Sequence, residues 1–327
     1  MTKTPLPPLS QAEREQLWPA LPLEEWQETY RTLHMWMQIV GKVKLELHPS
    51  INHWWQTALS ITARGMTTGP IPSGRTTFEI AFDFIDHQLI LFTSQGIMRA
   101  MPLIPRSVAD FYHELMALLH AEHIEVRINT LPNEVTDPIP CDVNEHDASY
   151  DAASVNRFWR ILVQVDRVFK EFRSDFIGKN SPVHFFWGAF DLAVTRFSGR
   201  RAPVRQGAGP ITREAYSHEV ISCGFWPGFG KINGPAFYAY AAPEPDGFKT
   251  ATIRPHEAFY SPDLSEYVLM YDDVRTATSP DQMILDFCQS TYDAAATLAH
   301  WEREELERTD TSLLQDRQRE SLGEASN

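Results

Sequence analysis

The segment SPVHFFWGAFDLAVTRFSGRRAP, residues 181–203, sets a histidine, an aspartate and three arginines among aromatic and small apolar residues. If the segment is placed on a helix, its apolar residues form one stripe and its polar residues form another face. The apolar stripe consists of Phe185, Phe186, Ala189, Phe190, Ala193, Val194 and Phe197. His184, Gly188, Asp191 and Thr195 share the other face. We expect a strand or turn that enters a helix, because Gly188 and the start at Pro182 weaken a helix over the whole segment. One continuous strand would instead place His184 and Asp191 on opposite faces.

Predicted strands occur in runs along the rest of the chain. Helices are predicted at residues 23–40, ended by Gly41, and at 108–121, 152–172 and from 280 onward, with Ser107 and Ser279 as N-caps. Strands are predicted at residues 43–47, 57–63, 76–84, 89–93, 124–128, 216–223, 235–242 and 267–272. Strands grouped in this way are typical of an α+β fold, so we expect antiparallel sheets with packed helices rather than a parallel wound sheet.

The order of these elements divides the chain into five parts. We expect an N-terminal arm at 1–20, a first α+β half at 21–130, a connector at 131–150, a second α+β half at 151–301 and a charged tail at 302–327. The connector is proline-rich and acidic, with little periodicity. The two halves have similar contents, which suggests a pseudo-duplication, although no residue-level repeat is visible.

Composition excludes several classes of protein. The 327 residues are 43% hydrophobic and carry a formal net charge of −14, which argues against nucleic acid as a partner. No apolar run is long enough to span a membrane, and the N-terminus has no signal-peptide core. The three cysteines contain no CxxC pair, so neither a disulfide scaffold nor a zinc ribbon is predicted and a cytoplasmic location fits. Oligomeric state is left open.

Two clusters of polar and aromatic residues in the first half are candidate ligand contacts. His34 and Trp36 lie in the first predicted helix and Lys42 follows it. They are interpreted either as a pocket edge with a cationic anchor or as a polar flank beside the core. His53 and Trp54 belong to the motif NHWW at 52–55. Adjacent tryptophans are either a stacking platform for a ring or a lid on the core.

Two further clusters in the second half are candidates for chemistry. In the opening segment, Arg196 is a candidate for binding a carboxylate or phosphate, and surface charge is the alternative. His218 lies in the motif YSHE at 216–219. His184 or His218 is the predicted general base, Asp191 would orient it, and Arg196 or Lys42 would stabilise negative charge. Hydrolysis by activated water is the reaction class that fits these groups.

The predicted function is therefore binding of a small polar or anionic ligand in an aromatic, histidine-lined pocket between the halves, with hydrolase-like catalysis as an option. A non-catalytic binding module is one alternative, and an interaction protein with a tryptophan-rich core and no site is another. No cofactor is predicted, because nucleotide-binding and kinase motifs are missing. No metal is predicted either, since the spacing of His53, His184 and His218 gives no support for a metal site.

The clusters together resemble the family numbered 5996 among domains of unknown function, a group of uncharacterised, mainly bacterial proteins. The resemblance spans about residues 17–301. It is carried by WPALPLEEWQETYRTLHMWMQIVGKVKL (18–45), NHWW (52–55), TARGMTTGPIP (62–72), SPVHFFWGAFDLAVTRFSGRRAP (181–203), EAYSHEVISCGFWPG (214–228) and PAFYAYAAPEP (235–245). The resemblance implies no activity. It implies only that the polar clusters are features of the family, which favours a shared site.

Overall fold

Helices and two antiparallel sheets make up the computed structural model of the protein, which describes residues 10–228 and 232–308. The helices are α1 Gln11–Leu17, α2 Leu23–Leu47, α3 Val108–Ala121, α4 Ala152–Ser174, α5 Pro210–Ala215, α6 Tyr271–Thr276, α7 Pro280–Leu298 and α8 Arg303–Leu306. The strands are β1 Ser60–Ile61, β2 Gly65–Thr67, β3 Ile71–Ser73, β4 Thr76–Asp83, β5 Gln88–Thr93, β6 Met98–Pro102, β7 His184–Phe186, β8 Asp191–Arg201, β9 His218–Trp226, β10 Ala236–Ala242, β11 Phe259–Ser261 and β12 Glu266–Met270. Short 3₁₀ helices cover Asn52–Thr57 and Phe248–Thr250. The predicted α+β class is confirmed.

The first sheet is built around β4. Its order is β1-β2-β4-β5-β6, and β3 also pairs with β4. On and just after β4, Phe78, Ile80, Phe82 and Phe84 are buried at alternate positions, as the alternation in the sequence predicts. This sheet packs its apolar side into the core and does not reach the candidate site.

The second sheet has the order β11-β12-β10-β9-β8-β7, and each neighbouring pair is antiparallel. One face packs on α4 and α7, with Val194, Cys223, Phe225 and Phe237 buried there. Because side chains alternate along a strand, the residues between these positions lie on the other face. That second face forms the floor of the candidate site.

The opening segment forms a β-hairpin, so the predicted helix is wrong. β7 and β8 flank a turn at residues 187–190, and Phe186 pairs with Asp191 while His184 pairs with Ala193. Side chains of cross-strand partners share a face, so His184 and Asp191 project from the same side of the sheet. The helical interpretation failed because β8 is buried on both faces and shows no polar alternation.

Helix α2 continues six residues beyond the predicted stop at Gly41 and includes the predicted strand at 43–47. Gly41 does not end the helix; it makes room for the side chain of Trp187. A Cβ atom there would lie 2.3 Å from Cδ1 of Trp187, so only glycine lets the indole ring rest on the helix. The mistaken helix end therefore reflects a contact with a residue distant in the sequence.

Other predicted elements are mostly confirmed. The Ser107 hydroxyl accepts a hydrogen bond from the Asp110 backbone N–H at the start of α3, and α4 and α7 begin where the sequence predicts. Ser279 precedes α7, but its side chain makes no capping hydrogen bond. Residues 124–128 do not form a strand, and no helix or strand occurs from 131 to 150. Part of the predicted arm, 1–9, and of the tail, 309–327, lies outside the described residues.

The two halves are joined through a continuous core. Leu59, just before β1, exchanges two backbone hydrogen bonds of 2.9 Å with Phe185 of β7, which links the two sheets. Trp26 of α2, in the first half, packs against Phe158 of α4, in the second, with ring centres 5.2 Å apart. In the part of the chain that the structure describes, no helix combines the length and apolarity needed to cross a membrane.

Candidate functional site

A cavity of about 900 Å³ lies over the outer face of the second sheet. Its size falls within the range of small-molecule sites in proteins, which is roughly 300–1,000 Å³. The floor comes from β8, β9, β10 and β12, and the walls come from α2, the 3₁₀ helix at Asn52–Thr57, residues 133–147 of the connector and α5. The predicted residues His34, His53, Trp54 and Asp191 all line it.

Asp191 is the central acidic group of the floor. It is buried and accepts a hydrogen bond from the hydroxyl of Tyr238 on β10. Burial raises the pKa of Asp191 to about 7, and the charge of Glu134 adds to this rise while Tyr238 opposes it. Burial likewise raises the pKa of Glu266 to about 7, with a contribution from Asp191. The carboxyl groups of Asp191 and Glu266 can therefore each gain or lose a proton near neutral pH.

The charge of the cavity lining is strongly acidic. Five carboxyl groups line it, those of Glu134, Asp137, Asp147, Asp191 and Glu266. Arg31 is the single lysine or arginine in the described lining, and its guanidinium pairs with Glu28 at 2.8 Å. The cavity therefore has an unbalanced negative charge whenever its buried carboxyls ionise.

A row of aromatic rings continues the floor beside the carboxyls. The ring centre of Tyr238 lies 5.2 Å from that of Trp226 and 6.1 Å from that of Tyr240, with which it stacks. The hydroxyl oxygens of Tyr240 and Tyr216 are 3.0 Å apart. Burial raises the pKa of Tyr238 and of Tyr240, so both phenols stay protonated. The row offers aromatic faces to a bound molecule.

His34 holds the turn of the hairpin. Its Nε2 lies 2.9 Å from the Trp187 carbonyl oxygen and 3.0 Å from the Gly188 carbonyl oxygen. Carbonyl oxygens only accept, so Nε2 carries the proton. Burial lowers the pKa of His34 to about 4, which keeps the ring neutral. His34 therefore positions the loop that precedes Asp191.

Lys42 and Gln38 hold the connector against the cavity. Lys42 Nζ donates to the Leu131 carbonyl oxygen at 2.9 Å and to Asn133 Oδ1 at 2.6 Å. The Gln38 side chain exchanges two hydrogen bonds, of 2.7 and 2.8 Å, with the backbone of Asn133. Lys42 itself does not line the cavity, so the structure gives this predicted ligand contact a positioning role. The contacts at Asn133 set the place of the next residue, Glu134.

The NHWW motif forms part of the wall with an unusual backbone. His53 and Trp54 have φ of 60° and 61°, a left-handed conformation that costs non-glycine residues roughly 1–3 kcal/mol each. His53 Nε2 accepts a hydrogen bond of 2.6 Å from Lys179 Nζ, and His53 Nδ1–H donates to the Ala215 carbonyl oxygen at 3.2 Å. The histidine is thereby fixed as a neutral tautomer at the cavity edge.

Trp36 and Arg196, two predicted ligand contacts, lie away from the cavity. Trp36 is fully buried on the far side of α2 and stacks on Phe111 with ring centres 4.7 Å apart. Arg196 is buried on the inner face of β8, donates to the Phe172 carbonyl oxygen and lies 3.6 Å from the centre of the Phe172 ring. The strand and helix positions of these two residues turn both side chains into the core, so neither faces the cavity.

His184 and His218 lie next to the cavity without lining it. His184 is edge-on to Trp55, with ring centres 5.7 Å apart, and burial lowers its pKa to about 4. The ring centre of His218 is 5.7 Å from that of His53. In residues 10–228 and 232–308, no three His, Cys, Asp or Glu side chains group as metal ligands.

Several cavity residues were not predicted. They are Glu134, Glu266, Tyr216, Tyr238, Tyr240 and the neighbouring Lys179. Tyr238 and Tyr240 alternate within the predicted strand at 235–242, and two polar hydroxyls on one face of an otherwise apolar strand are a usable signal. Glu134 and Lys179 lie in segments without periodicity, so no sequence pattern points to them.

The residues that line the cavity run from Tyr30 to Glu266, inside the region covered by one family model. The model is that of DUF5996, a family of unknown function, and it matches residues 18–308. The chain belongs to this family. The resemblance seen in the sequence motifs is thus confirmed, and the cavity lies entirely within the DUF5996 region. No curated protein and no solved structure matches the chain.

Proposed function

We propose that this protein binds a small molecule bearing a positively charged nitrogen in the cavity over the second sheet. The observation that carries the proposal is the acidic excess of the lining, with Asp191 and Glu266 buried on its floor. Arg196 and Lys42, which the sequence suggested as anchors for an anion, are engaged elsewhere. A cation beside Asp191 offsets the unfavourable desolvation of the carboxylate.

The aromatic row supports the same ligand class. Cations bind over the faces of tryptophan and tyrosine rings with about 0.5–2 kcal/mol. Trp226, Tyr238 and Tyr240 present such rings next to Asp191. The ligand would therefore place its ammonium group between a carboxylate and aromatic faces.

The proposal is tested by isothermal titration calorimetry with primary and quaternary amines, against neutral alcohols and carboxylates of matched shape. We expect the amines to bind and the matched alcohols and carboxylates to bind at least tenfold more weakly, a difference of about 1.4 kcal/mol. Asp191→Asn removes the charge but keeps an acceptor for Tyr238, and should weaken amine binding. Asp246→Asn changes an exposed carboxyl away from the cavity and serves as the matched control. Equal affinity for amines and alcohols would refute the proposal.

Amine binding should also depend on pH with a defined sign. A cation prefers the ionised carboxylates, and Asp191 and Glu266 have pKa values of about 7. Affinity should therefore fall as the pH decreases from 8 to 6, because both groups become protonated. An affinity that stays constant across this range would show that these carboxyls are not the contact.

Acid–base catalysis is a second candidate function, and the pKa of Asp191 favours it. A general acid or base works best with a pKa near the working pH, and Asp191 meets this condition better than His184, whose pKa is lowered to about 4. Asp191 would then be the proton-transfer group rather than the orienting partner. A panel of hydrolase substrates, run on the wild type and on Asp191→Asn, tests this candidate. Equal turnover by both proteins would exclude Asp191 from catalysis.

A further inference from the structure

A cluster of basic side chains lies at the edge of the cavity, on β8, β9 and the loop before β7. Lys179 Nζ is 2.6 Å from His53 Nε2 and 5.0 Å from the centre of the Phe197 ring. His218 lies beside His53, and Arg201 faces His218 across the β8–β9 ladder. Within residues 10–228 and 232–308, no carboxylate pairs with Lys179 or Arg201. The cluster thus holds positive charge that the described protein does not neutralise.

The hydrogen bonds of the cluster leave donors for a ligand. An ammonium group has three N–H donors, and one of those on Lys179 is used by His53. Both ring nitrogens of His53 are engaged, by Lys179 and by Ala215. The fixed histidine therefore holds the lysine above the rings of Trp55 and Phe197, where its remaining donors can meet an oxyanion.

Electrostatics within the cluster agree with an anion site. Burial lowers the pKa of His53 and of His218, and the charge of Lys179 lowers both further. Arg201 adds to the effect on His218. These groups oppose one another's protonation, so an oxyanion placed among them would relieve the repulsion.

The basic cluster and the acidic floor lie at different levels of the same sheet. Asp191 accepts a hydrogen bond from Tyr238, and Tyr238 is the cross-strand partner of Gly224 on β9, so Gly224 marks the level of the acidic floor. His218 starts β9, six residues before Gly224, and six residues of strand extend about 20 Å. Val220 and Ser222, which lie on β9 between His218 and Gly224, line the cavity between the two levels.

We propose that Lys179, with His53, His218 and Arg201, forms an anion subsite, so that the ligand is an elongated zwitterion. Its ammonium group lies near Asp191 and its carboxylate or phosphate lies near Lys179. The ammonium end rests on the proposed function. The anion subsite stands on the basic cluster alone and is tested separately.

The zwitterion is tested with a six-residue glycine–serine peptide, which spans about 20 Å when extended. Its binding is compared with that of the same peptide amidated at the C-terminus and of a third version acetylated at the N-terminus. We expect amidation to weaken binding to the wild type about tenfold, the effect of one charge-assisted hydrogen bond at a partly exposed site. Lys179→Met should bind the free and amidated peptides equally, and Lys179→Arg should restore the preference.

Lys249→Met is the matched control, because Lys249 is an exposed lysine that does not line the cavity. It should keep the tenfold preference for the free C-terminus. A preference that persists in Lys179→Met, or is missing in the wild type, overturns the anion subsite. If acetylation of the N-terminus leaves affinity unchanged, the proposed function fails, while the comparison of free and amidated peptides still decides the subsite.

Inorganic phosphate and acetate probe the subsite without the ammonium end. Their addition at millimolar concentration should shift the imidazole NMR signals of His53 and His218 in the wild type and in Lys249→Met. Lys179→Met should show no shift. The stronger of the two anions identifies whether the ligand carries phosphate or carboxylate. If no peptide binds and neither anion moves these signals, the anion subsite is refuted.

Discussion

Asp191 combines two properties that oppose each other in a folded protein. It is buried, which disfavours its ionised form, and it accepts a hydrogen bond from Tyr238, which favours that form. Burial is the larger effect, since the pKa rises to about 7. A carboxyl group kept at this cost on a cavity floor fits a role in binding or proton transfer better than a role in stability.

Replacing Asp191 by Asn should stabilise the protein in a pH-dependent way. The pKa is raised in the folded state, from 3.8 to about 7, so the folded protein binds more protons than the unfolded chain between these values. The free energy of unfolding of the wild type thus decreases as the pH rises through this window. The Asp191→Asn variant has no titrating group at this position, so its stability lacks this decrease. The melting temperature of Asp191→Asn relative to wild type should increase from pH 4 to pH 7 by several degrees and then level off, because a pKa raised from 3.8 to about 7 corresponds to roughly 3–4 kcal/mol over this range.

Differential scanning calorimetry across this pH range measures the effect. Asp246→Asn, on the exposed surface, should show a constant difference from wild type. A difference for Asp191→Asn that is equally constant would mean that the aspartate titrates in the folded protein as it does in the unfolded chain.

Helix α2 shows how one glycine couples two elements. Alanine normally stabilises a helix by about 1 kcal/mol relative to glycine. At Gly41, however, the new Cβ would lie 2.3 Å from the Trp187 ring, and such overpacking costs about 1–3 kcal/mol. Gly41→Ala should therefore lower the free energy of unfolding, measured by urea denaturation. In a Trp187→Ala background the ring is gone, so the same change should become stabilising. A destabilising effect in both backgrounds would contradict the contact.

The connector depends on its anchors in α2. Gln38 is buried and forms two hydrogen bonds with the backbone of Asn133. Gln38→Ala leaves the Asn133 N–H without this partner, which costs about 1–3 kcal/mol. We expect faster hydrogen exchange at Asn133 and Glu134 and weaker amine binding. Gln282→Ala, which removes an exposed glutamine of α7, should change neither quantity. Unchanged exchange at Asn133 in Gln38→Ala would show that the connector holds its place without α2.

Elements with local signals were predictable, and elements set by distant contacts were not. The cap at Ser107 and the alternation of β4 depend on residues that are neighbours in the sequence, and both predictions were correct. The end of α2 and the hairpin at 184–201 depend on packing between residues far apart in sequence. For the site, His34, His53 and Asp191 carried visible signals, whereas Glu134 and Lys179 reach the cavity through irregular segments.

At the scale of the whole molecule, the cavity requires both predicted halves. Its floor comes from the second sheet, while α2 and the NHWW motif supply walls from the first half. The largest cluster of buried apolar side chains likewise includes residues of both, among them Leu33, Phe82, Phe158 and Phe225. A shared core of this kind favours cooperative unfolding of the two halves together.

Phe185 is the residue that tests this cooperativity. Its backbone pairs with Leu59 of the first half, and its buried ring lies 5.1 Å from that of Phe190 in the hairpin turn. Phe185→Ala should lower stability by about 3–5 kcal/mol through the cavity it leaves. Because the core is continuous, the loss should appear equally in native-state hydrogen exchange of β4 and of β10. Phe259→Ala removes an exposed ring of β11 and serves as the control. It should lower the exchange protection of β4 and β10 much less than Phe185→Ala does. Protection lost in β10 alone would show that the halves unfold separately, and the cavity would then lie between two independent units.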